Sequence, residues 1–506
     1  MDAMGEVGRC AAQAGYSQEK AKQEILTSCR VYAEAASTQP TYDLQFMISL
    51  NRIGLFLLSI GVFFTHAITT EADERSSRPT NVVMLISDDQ AWTDYGFMGH
   101  PDIQTPHLDR LAKESAVFRR GYVPTALCRP SLVTLLTGHY ASVHGVTGND
   151  PSPKYAKPGS ELDRQRRAQL VSYLDRFDTV PEILGRQGYL SHQSGKLWEG
   201  SYRNAGFTHG MTRGFPEPGG RHGDDGLQIG RQGMEPVEEF LDMATEQNKP
   251  FFVWYAPFLP HTPHTPPQRL LDKYKGNHPI TVARYYAMCE WFDETCGELL
   301  TMLDDRKLAE NTLVVYVTDN GWIQDPNSSK YAPRSKQTPY EGGVRTPIMY
   351  RLPGRIVPGD RPELASSIDI VPTMLAAADA PIPDGLPGLN LIPNLTSGDP
   401  IDRDIIFGES FAHDIADIEN PEASLLFRWA IKGKWKLLLT YDGETNRYAS
   451  THPRTEKGPQ LFDLIADPTE QNNVAKDHPE VVAELAAAIA DWYPVEQRKT
   501  ITTVAK

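Results

Sequence analysis

Short apolar runs that end abruptly in polar or acidic residues are the most regular feature of the chain. They read NVVMLI at Asn81–Ile86, TLVVYV at Thr312–Val317 and PFFVWY at Pro250–Tyr255. Continuous apolar runs of this length predict strands that are buried on both faces, as in a parallel sheet. Open α/β sheets bind ligands beyond the carboxyl ends of their strands, so the polar residues that follow the three runs predict one shared site.

Stretches with helical spacing lie between and after these runs. They cover 106–114, 179–187, 233–245 and 282–303. The alternation of strands and helices predicts a doubly wound α/β sheet. Two further stretches, 148–167 and 200–232, are rich in Gly, Pro, Arg and His without periodicity. Insertions of this kind predict either the rim of a pocket or plain surface loop.

The pattern changes beyond a stretch rich in Pro and Gly at 383–400. Trp429–Thr440 alternates like a strand, and Glu480–Trp492 has the spacing of a final helix. These segments predict a small sheet packed by one helix. We therefore divide the chain into a catalytic domain at 78–398 and a smaller C-terminal α+β subdomain at 399–495.

Residues 47–67 have the pattern of a secretory signal peptide, with a basic Arg52, an apolar run at 53–64 and small residues before a polar stretch. The apolar run is shorter than the roughly 20 residues that span a bilayer, so no retained membrane anchor is expected. The segment predicts a secreted or periplasmic protein. Because a signal peptide stands at an N-terminus, residues 1–46 are interpreted as a misassigned extension ahead of Met47.

Charge and cysteine content narrow the function classes. The net charge is -15 without any basic run, which argues against binding to nucleic acid but leaves room for a local cationic pocket. Cys289 and Cys296 lie in one predicted helix, about 10 Å apart along its axis, and cannot pair. They are expected to be buried free thiols, so the fold is no disulfide scaffold.

Oxygen donors follow two of the predicted strands. Asp88 and Asp89 come after the run NVVMLI, and Asp319 and Asn320 come after the run TLVVYV. This donor set suits calcium or magnesium rather than zinc. The alternative for either pair is turn chemistry, because Asp and Asn side chains also stabilise turns.

Cys128 opens the run CRPSLVTLLTG. Pro130 suits a first helical position and Gly138 suits the end of a helix, so the run predicts a short helix with the thiol just before its N-terminus. Backbone N–H groups there would lower the pKa of the thiol and favour bound anions. The alternative is an ordinary buried cysteine.

The run CRPSLVTLLTG resembles the Cys-x-Pro-Ser-Arg…Leu-Thr-Gly motif of type I sulfatases, in the alkaline-phosphatase superfamily. The resemblance continues in matching order from Pro79 to Trp492, through NVVMLISDDQ, GYLSHQSGK, FLPHTPH, YVTDNG, KQTPYEGGVRTP, SIDIVPTML and LFDLIADPTEQNNVA. It implies a large mixed, mostly parallel sheet flanked by helices, with a smaller C-terminal α+β subdomain. The implied activity is hydrolysis of a sulfate ester, on a sulfated carbohydrate, a polysaccharide or an aryl sulfate.

The resemblance also implies a modified nucleophile and a metal. Cys128 would be oxidised to formylglycine by a formylglycine-generating enzyme or a maturase. One hydroxyl of its hydrate would attack sulfur with a cation as Lewis acid, and the second would expel the sulfate. By the same resemblance Asp88, Asp89, Asp319 and Asn320 would bind Ca²⁺, in preference to Mg²⁺, together with the modified residue 128.

Three further residues receive roles from the matching motifs. Lys196 and Lys336 would neutralise sulfate oxygens, and His261 would bind the sulfate or assist its transfer. Considered without the motifs, the lysines would be interpreted as solvated surface charges and His261 as a loop histidine. His264 keeps the loop interpretation.

Two positions depart from the family pattern. Leu132 stands where the family has an arginine, and Trp198 stands where it has a histidine two residues after the lysine. Leu132 fits simple core packing, and Trp198 fits either a sugar-binding rim or an aromatic plug. The side chains that could replace the missing arginine are Arg129, Arg203 and Arg221.

Two rival functions stay open. The first is a phosphatase, phosphonate hydrolase or phosphodiesterase, because phosphoryl groups are held by the same metal and lysine clamps. The second is a degenerate, anion-binding protein in which Cys128 stays a thiol. This rival stays open because Leu132 replaces the arginine of the family motif. Three acidic side chains and one amide would be costly to keep together without a cation, which argues against the second rival.

Overall fold

The computed structural model describes residues 79–441 and 458–496. The signal peptide proposed at 47–67 and the extension at 1–46 lie outside this range and stay predictions. Within the described ranges, no helix combines the length and apolar character needed to cross a bilayer.

Strands and helices alternate through most of the described chain. In order the strands are β1 (Asn81–Ser87), β2 (Ala116–Tyr122), β3 (Asp150–Pro151), β4 (Leu190–Gly195), β5 (His209–Gly210), β6 (Phe251–Ala256), β7 (Thr312–Thr318), β8 (Arg345–Arg351), β9 (Gly359–Arg361), β10 (Ala365–Ser366), β11 (Ile405–Phe411), β12 (Asp414–Ile415), β13 (Leu425–Lys432), β14 (Trp435–Thr440) and β15 (Gln460–Asp463). The helices are α1 (Pro106–Lys113), α2 (Cys128–Thr137), α3 (Ala141–His144), α4 (Glu161–Ser172), α5 (Val180–Arg186), α6 (Glu235–Glu246), α7 (Gln268–Tyr274), α8 (Ile280–Asp305), α9 (Glu341–Val344), α10 (Ile370–Ala377), α11 (Ile392–Ser397) and α12 (Pro479–Trp492).

Among the described residues, nine strands form the main sheet, in the order β10-β2-β8-β7-β1-β6-β4-β5 with β9 beside β2. The central strands β7, β1, β6 and β4 are parallel to one another. Strand β8 is antiparallel to both of its neighbours, β2 and β7. The sheet is therefore mixed and mostly parallel, which confirms the expected fold class.

Alternating residues of β1 explain why the sheet is sandwiched between helices. Val82, Met84 and Ile86 pack into one apolar core, and Val83 and Leu85 pack into another on the opposite face. Successive side chains of a strand point to opposite faces, so one continuous apolar run supplies both cores. The first core is covered by α2, α5 and α10, and the second by α1, α6 and α8.

The predicted strands and helices of this part are confirmed to within a few residues, but the insertion at 148–167 is not wholly irregular. It contains the first part of α4, which begins after Ser160. The Ser160 side chain accepts a hydrogen bond from the backbone N–H of Asp163, which caps the helix. The expectation of irregular structure is therefore wrong from residue 161 onward.

The C-terminal segment forms a separate antiparallel sheet in the order β11-β13-β14-β15, with α12 packed on β13 and β14. This confirms a small sheet covered by one helix. The single strand predicted for Trp429–Thr440 is wrong, because the chain turns at Gly433, which has a φ of 57°. Lys432 and Trp435 pair across that turn. The division of the chain at residue 398 stays a prediction.

A buried ion cluster joins β14 to residues outside its own sheet. The ammonium of Lys436 lies 3.0 Å from a carboxylate oxygen of Glu341 and 3.0 Å from one of Glu470, and all three side chains are buried. We expect Lys436→Met to lower the free energy of unfolding by about 3–5 kcal/mol, because two buried carboxylates lose their cation.

Denaturant unfolding followed by tryptophan fluorescence measures this change. The control is Lys434→Met, since Lys434 is about half exposed and pairs with Asp463 at the surface. Surface pairs contribute about 0–1 kcal/mol, so the control should stay close to wild type. Equal stabilities of the two variants would contradict the assigned role of Lys436.

Candidate active site

The ends of β1 and β7 bring four of the predicted site residues together. Asp88 and Asp89 follow β1, while Asp319 and Asn320 follow β7, and all four are buried. The N–H of Asp319 donates to the carbonyl of Ser87 (2.9 Å), which continues the parallel pairing to the strand ends. These four side chains therefore lie together at the edge of the sheet where the sequence predicted a shared site.

Strands β4 and β6 add the next two residues. Lys196 follows β4, and its N–H donates to the carbonyl of Ala256 at the end of β6 (2.8 Å). Gly195 before it has a φ of 89°, and an added Cβ there would collide with the Ala256 carbonyl. A glycine is needed at that position because the backbone is left-handed there and passes close to Ala256. Lys196 follows directly after this turn. His261 lies in the loop after β6.

Cys128 is the first residue of α2, with Leu127 as the N-cap. Pro130 is therefore the third helical residue rather than the first, and Gly138, with a φ of 75°, ends the helix as predicted. The Cys128 sulfur lies 3.1 Å from the ammonium of Lys336 and 3.9 Å from a carboxylate oxygen of Asp89. The thiol thus lies against Asp89 at the end of β1 and against Lys336 in the loop before α9.

Burial decides the state of this thiol. Burial raises the pKa of Cys128 to about 12, although Lys196 and Lys336 act in the opposite direction. The prediction that the helix N-terminus lowers the pKa is wrong here, because the loss of hydration outweighs the favourable charges. The thiol is protonated at neutral pH.

The two lysines are buried and each pairs with a carboxylate. The ammonium of Lys196 lies 2.6 Å from Asp88, and that of Lys336 lies 2.6 and 2.7 Å from the two oxygens of Asp89. Burial acts to lower the pKa of each lysine, but the attached carboxylates outweigh it and raise the pKa. The alternative of solvated surface charges is excluded for both.

Several oxygens at the strand ends lack a hydrogen-bond partner among the described residues. Asp88 Oδ2, Asp319 Oδ2 and Asn320 Oδ1 are buried and accept no hydrogen bond from the described residues. Burying such acceptors unpaired is costly, and three hard oxygens from two strand ends match the donors of a calcium or magnesium site. Burial also raises the pKa of Asp88 well above its usual value, against the effect of Lys196.

His261 completes the cluster from the side of β6. Its Nε2 lies 3.3 Å from Asp89 Oδ2, and its ring stacks on Phe258 with the ring centres 4.2 Å apart. One ligand atom each from Asp88, Asp89, Cys128 and His261 lie within 4.8 Å of one another. Burial, with Lys196 beside it, lowers the pKa of His261 well below its usual value. The neutral ring donates its Nδ1–H to the Thr262 carbonyl. Its Nε2 is therefore unprotonated and faces the Asp89 carboxylate, so two acceptors lie side by side.

His264, left as a loop histidine, packs against aromatic rings. Its ring centre lies 5.3 Å from that of Tyr285 and 5.8 Å from that of Trp322. Burial lowers its pKa to about 4.

Leu132 is buried in the same apolar core as Leu135 and Leu136, which confirms core packing. The three candidate replacements for the missing arginine have other partners. Arg129 forms a two-pronged pair with Glu199 (2.7 and 2.8 Å), Arg221 pairs with Asp150, and Arg203 stacks on Tyr202.

Trp198 is a buried wall of the site and not an exposed rim residue, since it is 5% exposed. The Lys196 ammonium lies 5.1 Å from the centre of its ring. Trp198 also lines a cavity of about 260 Å³ to which both insertions contribute. The pocket-rim interpretation of those insertions is therefore confirmed. Sequence reasoning singled out neither Phe258 nor His222, whose rings pack beside this wall.

Comparisons with known proteins agree with the order of these elements. The sulfatase family model matches residues 80–380. A model of the C-terminal part of N-sulphoglucosamine sulphohydrolase matches residues 334–493. Human arylsulfatase A is 29% identical over 475 residues, covering 81% of this chain and 87% of that protein. Human N-acetylgalactosamine-6-sulfatase is 27% identical over 440 residues, covering 78% and 81%.

A solved structure extends the comparison to another chemistry. The phosphonate monoester hydrolase of Agrobacterium radiobacter superposes with a TM-score of 0.59 at 20% identity, covering 82% of this chain and 95% of that one. At this level of identity the likeness shows the fold alone, so the fold does not separate sulfate from phosphonate chemistry.

Proposed function

Because the chain belongs to the sulfatase family, we propose that it hydrolyses the sulfate ester of a carbohydrate or an aryl alcohol at the buried cluster around Asp88, Asp89 and Cys128. Residues 47–67 support export to a periplasmic or extracellular setting, where such esters would be met.

One observation carries this proposal. Two buried ammonium groups, those of Lys196 and Lys336, lie on the carboxylates next to Cys128, and the second is 3.1 Å from the Cys128 sulfur. An anionic ester placed at residue 128 meets positive charge that is already fixed in a water-poor site. Preorganised charges of this kind stabilise the negative charge that develops as the ester bond breaks.

A divalent cation fits the same cluster. Asp88, Asp89, Asp319 and Asn320 would hold it, and three of their oxygens are buried without a hydrogen-bond partner among the described residues. Calcium is the cation that we propose, with magnesium as the second choice. When bound, such a cation supplies Lewis-acid polarisation of the sulfate oxygens.

Family membership supports formylglycine at residue 128, made by a formylglycine-generating enzyme or a maturase. The modification supplies an oxygen nucleophile in place of the thiol. Three features of this chain fix the place of residue 128. It is the first residue of α2, and its side chain contacts Lys336 and Asp89. His261, neutral and next to Asp89, could accept at Nε2 a proton from a hydroxyl group on the modified residue 128, since its ligand atom and that of Cys128 lie within 4.8 Å of each other.

Parallel assays on p-nitrophenyl sulfate and p-nitrophenyl phosphate test the proposed reaction against its phosphoryl rivals. Both probes release the same alcohol, so a difference in kcat/KM reports the acid group alone. We expect faster hydrolysis of the sulfate. A clear preference for the phosphate would contradict the proposal.

Elemental analysis of the purified protein tests the metal. Four oxygen donors without sulfur or imidazole favour calcium or magnesium, so either of these should be bound and Asp319→Ala should lose it. Asp360→Ala is the control, since Asp360 is exposed and pairs with Arg119 on β2. Zinc at full occupancy that survives Asp319→Ala would contradict the assignment.

A further inference from the structure

A buried ion pair joins the segment that carries residue 128 to the segment that carries Lys196. The Arg129 guanidinium donates to both carboxylate oxygens of Glu199, at 2.7 and 2.8 Å, and the two side chains are 3% and 1% exposed. Arg129 directly follows residue 128 at the start of α2, and Glu199 comes three residues after Lys196. Two-pronged pairs of this kind fix the orientation of both partners as well as their distance. The pair therefore ties the start of α2 to the loop after β4.

The backbone of Arg129 is held from a third direction. Its N–H donates to the side-chain oxygen of Asn149 (3.1 Å), and its guanidinium donates to the Asn149 carbonyl (3.3 Å). Asn149 is held in turn by His413, whose carbonyl accepts the Asn149 N–H (3.0 Å). Because the first N–H groups of a helix have no acceptor inside the helix, a side-chain acceptor here orients the first turn of α2. Residue 128 thus adjoins a residue that is fixed at both its backbone and its side chain.

The place of this pair fits a role in the reaction better than a role in stability. Burying two charges is costly, and apolar side chains of similar volume often stabilise a protein as well as a buried pair does. The pair lies between the position of the nucleophile and Lys196, whose ammonium is 2.6 Å from Asp88. Leu132, which replaces the family arginine, has no donor with which to hold the start of α2. The charged contact between α2 and the loop after β4 is therefore made by Arg129.

We propose that Arg129 and Glu199 are positioning residues for the reaction. Together they set the distance between residue 128 and the Lys196 ammonium, and they serve in place of the arginine that Leu132 replaces. Arg129 acts through its contacts and not by touching the ester, because its three guanidinium nitrogens already have acceptors. This inference rests on the proposed function, in which Lys196 stabilises charge on an ester placed at residue 128. A misplacement of about 1 Å between such groups can lower turnover about 100-fold.

A double variant tests the proposal, because removing one partner alone would leave the other charge buried and unpaired. Arg129→Met combined with Glu199→Gln removes both charges at similar volume, so its thermal unfolding transition should stay close to that of wild type. We expect kcat for p-nitrophenyl sulfate to fall at least about tenfold while KM changes less than about threefold, since the loss falls on the transition state. A pair that serves only stability would leave kcat at the wild-type value in this folded variant.

The matched control removes another two-pronged pair. Arg403 donates to both carboxylate oxygens of Asp369, just ahead of α10, and both side chains are largely buried. Arg403→Met combined with Asp369→Asn should keep the wild-type kcat when both double variants are assayed below their unfolding transitions. An equal fall in kcat in the two double variants would overturn the proposal, because the loss would then follow from removing any buried pair.

A second substrate separates this test from that of the proposed function. All variants are also assayed with p-nitrophenyl phosphate, and kcat is compared on whichever ester the wild type prefers. A preference for the phosphate would refute the proposed function and leave the comparison between variants valid. An unchanged kcat on the preferred ester, in the folded variant without Arg129 and Glu199, overturns the positioning role.

Hydrogen exchange followed by mass spectrometry gives a readout that needs no turnover. If the pair holds the two segments together, the backbone amides of 128–131 and 196–200 should exchange about tenfold faster in the test variant. The Arg403 and Asp369 control should exchange at the wild-type rate in the same peptides. Should the wild type hydrolyse neither ester, exchange at the wild-type rate in the test variant overturns the proposal.

Discussion

Replacing Cys128 by alanine is expected to lower kcat/KM for p-nitrophenyl sulfate by about four orders of magnitude or more, the scale on which removal of a nucleophile acts. The reason is geometric, because the residue 128 side chain meets Lys336 and Asp89 at the centre of the cluster. The matched control is Cys289→Ala, which removes another buried free thiol, one in the middle of α8. Its activity should stay close to that of wild type.

The chemical state of residue 128 decides how it acts. Mass spectrometry of the peptide that spans α2, from protein made in the native host, should show formylglycine in place of the thiol. Leu132, which stands in place of the family arginine, makes this measurement the sharpest test of the mechanism. A wholly unmodified thiol, with equal sulfatase activity in wild type and Cys128→Ser, would overturn the proposed nucleophile.

The positions of the four candidate metal ligands were predictable from the sequence because they follow from sheet geometry. Runs such as NVVMLI, short and rich in β-branched residues, favour buried strands, and parallel strands bring their carboxyl ends to one edge. Asp88 and Asp319 each stand within one residue of such an end. Lys196 and Lys336 needed the family motifs as well, because an isolated lysine gives no sign of burial.

Local signals for two of the missed elements were present in the sequence. Ser160 followed by Asp163 is a helix-capping pattern ahead of α4, and Gly433 marks the turn between β13 and β14. The apolar alternation of Trp429–Thr440 ran across that turn and so hid it. These errors came from weighting hydrophobic periodicity above turn and cap residues.

The wall of Trp198, His222 and Phe258 had no comparable signal. His222 comes from an insertion without periodicity. Its neighbours Arg221 and Gly223 contact Asp150 and Gly195, which are distant in sequence. Such tertiary anchors leave no local pattern. The pKa of Cys128 was mispredicted for a related reason, since the helix end is visible in sequence but the depth of burial is not.

Lys196→Ala and Lys336→Ala are each expected to lower kcat about 100-fold, the usual effect of removing one positioned electrostatic stabiliser. Both ammonium groups are buried on the carboxylates beside residue 128, so each variant removes a fixed positive charge from a buried site. Lys330→Ala is the control for the second variant. Lys330 is exposed, and it lies six residues before Lys336 in the same loop.

Loss of the lysine charge has to be separated from loss of the cation. Each lysine pairs with a proposed metal ligand, Lys196 with Asp88 and Lys336 with Asp89. If the lysines act on the sulfate, both variants keep their bound calcium or magnesium and their thermal unfolding transition while kcat falls. Near-normal turnover in either variant would show that the charge of the replaced lysine serves only to pair with the carboxylate. Activity restored by added calcium would point to the cation instead, because the missing step would then be metal binding and not stabilisation of the departing ester oxygen.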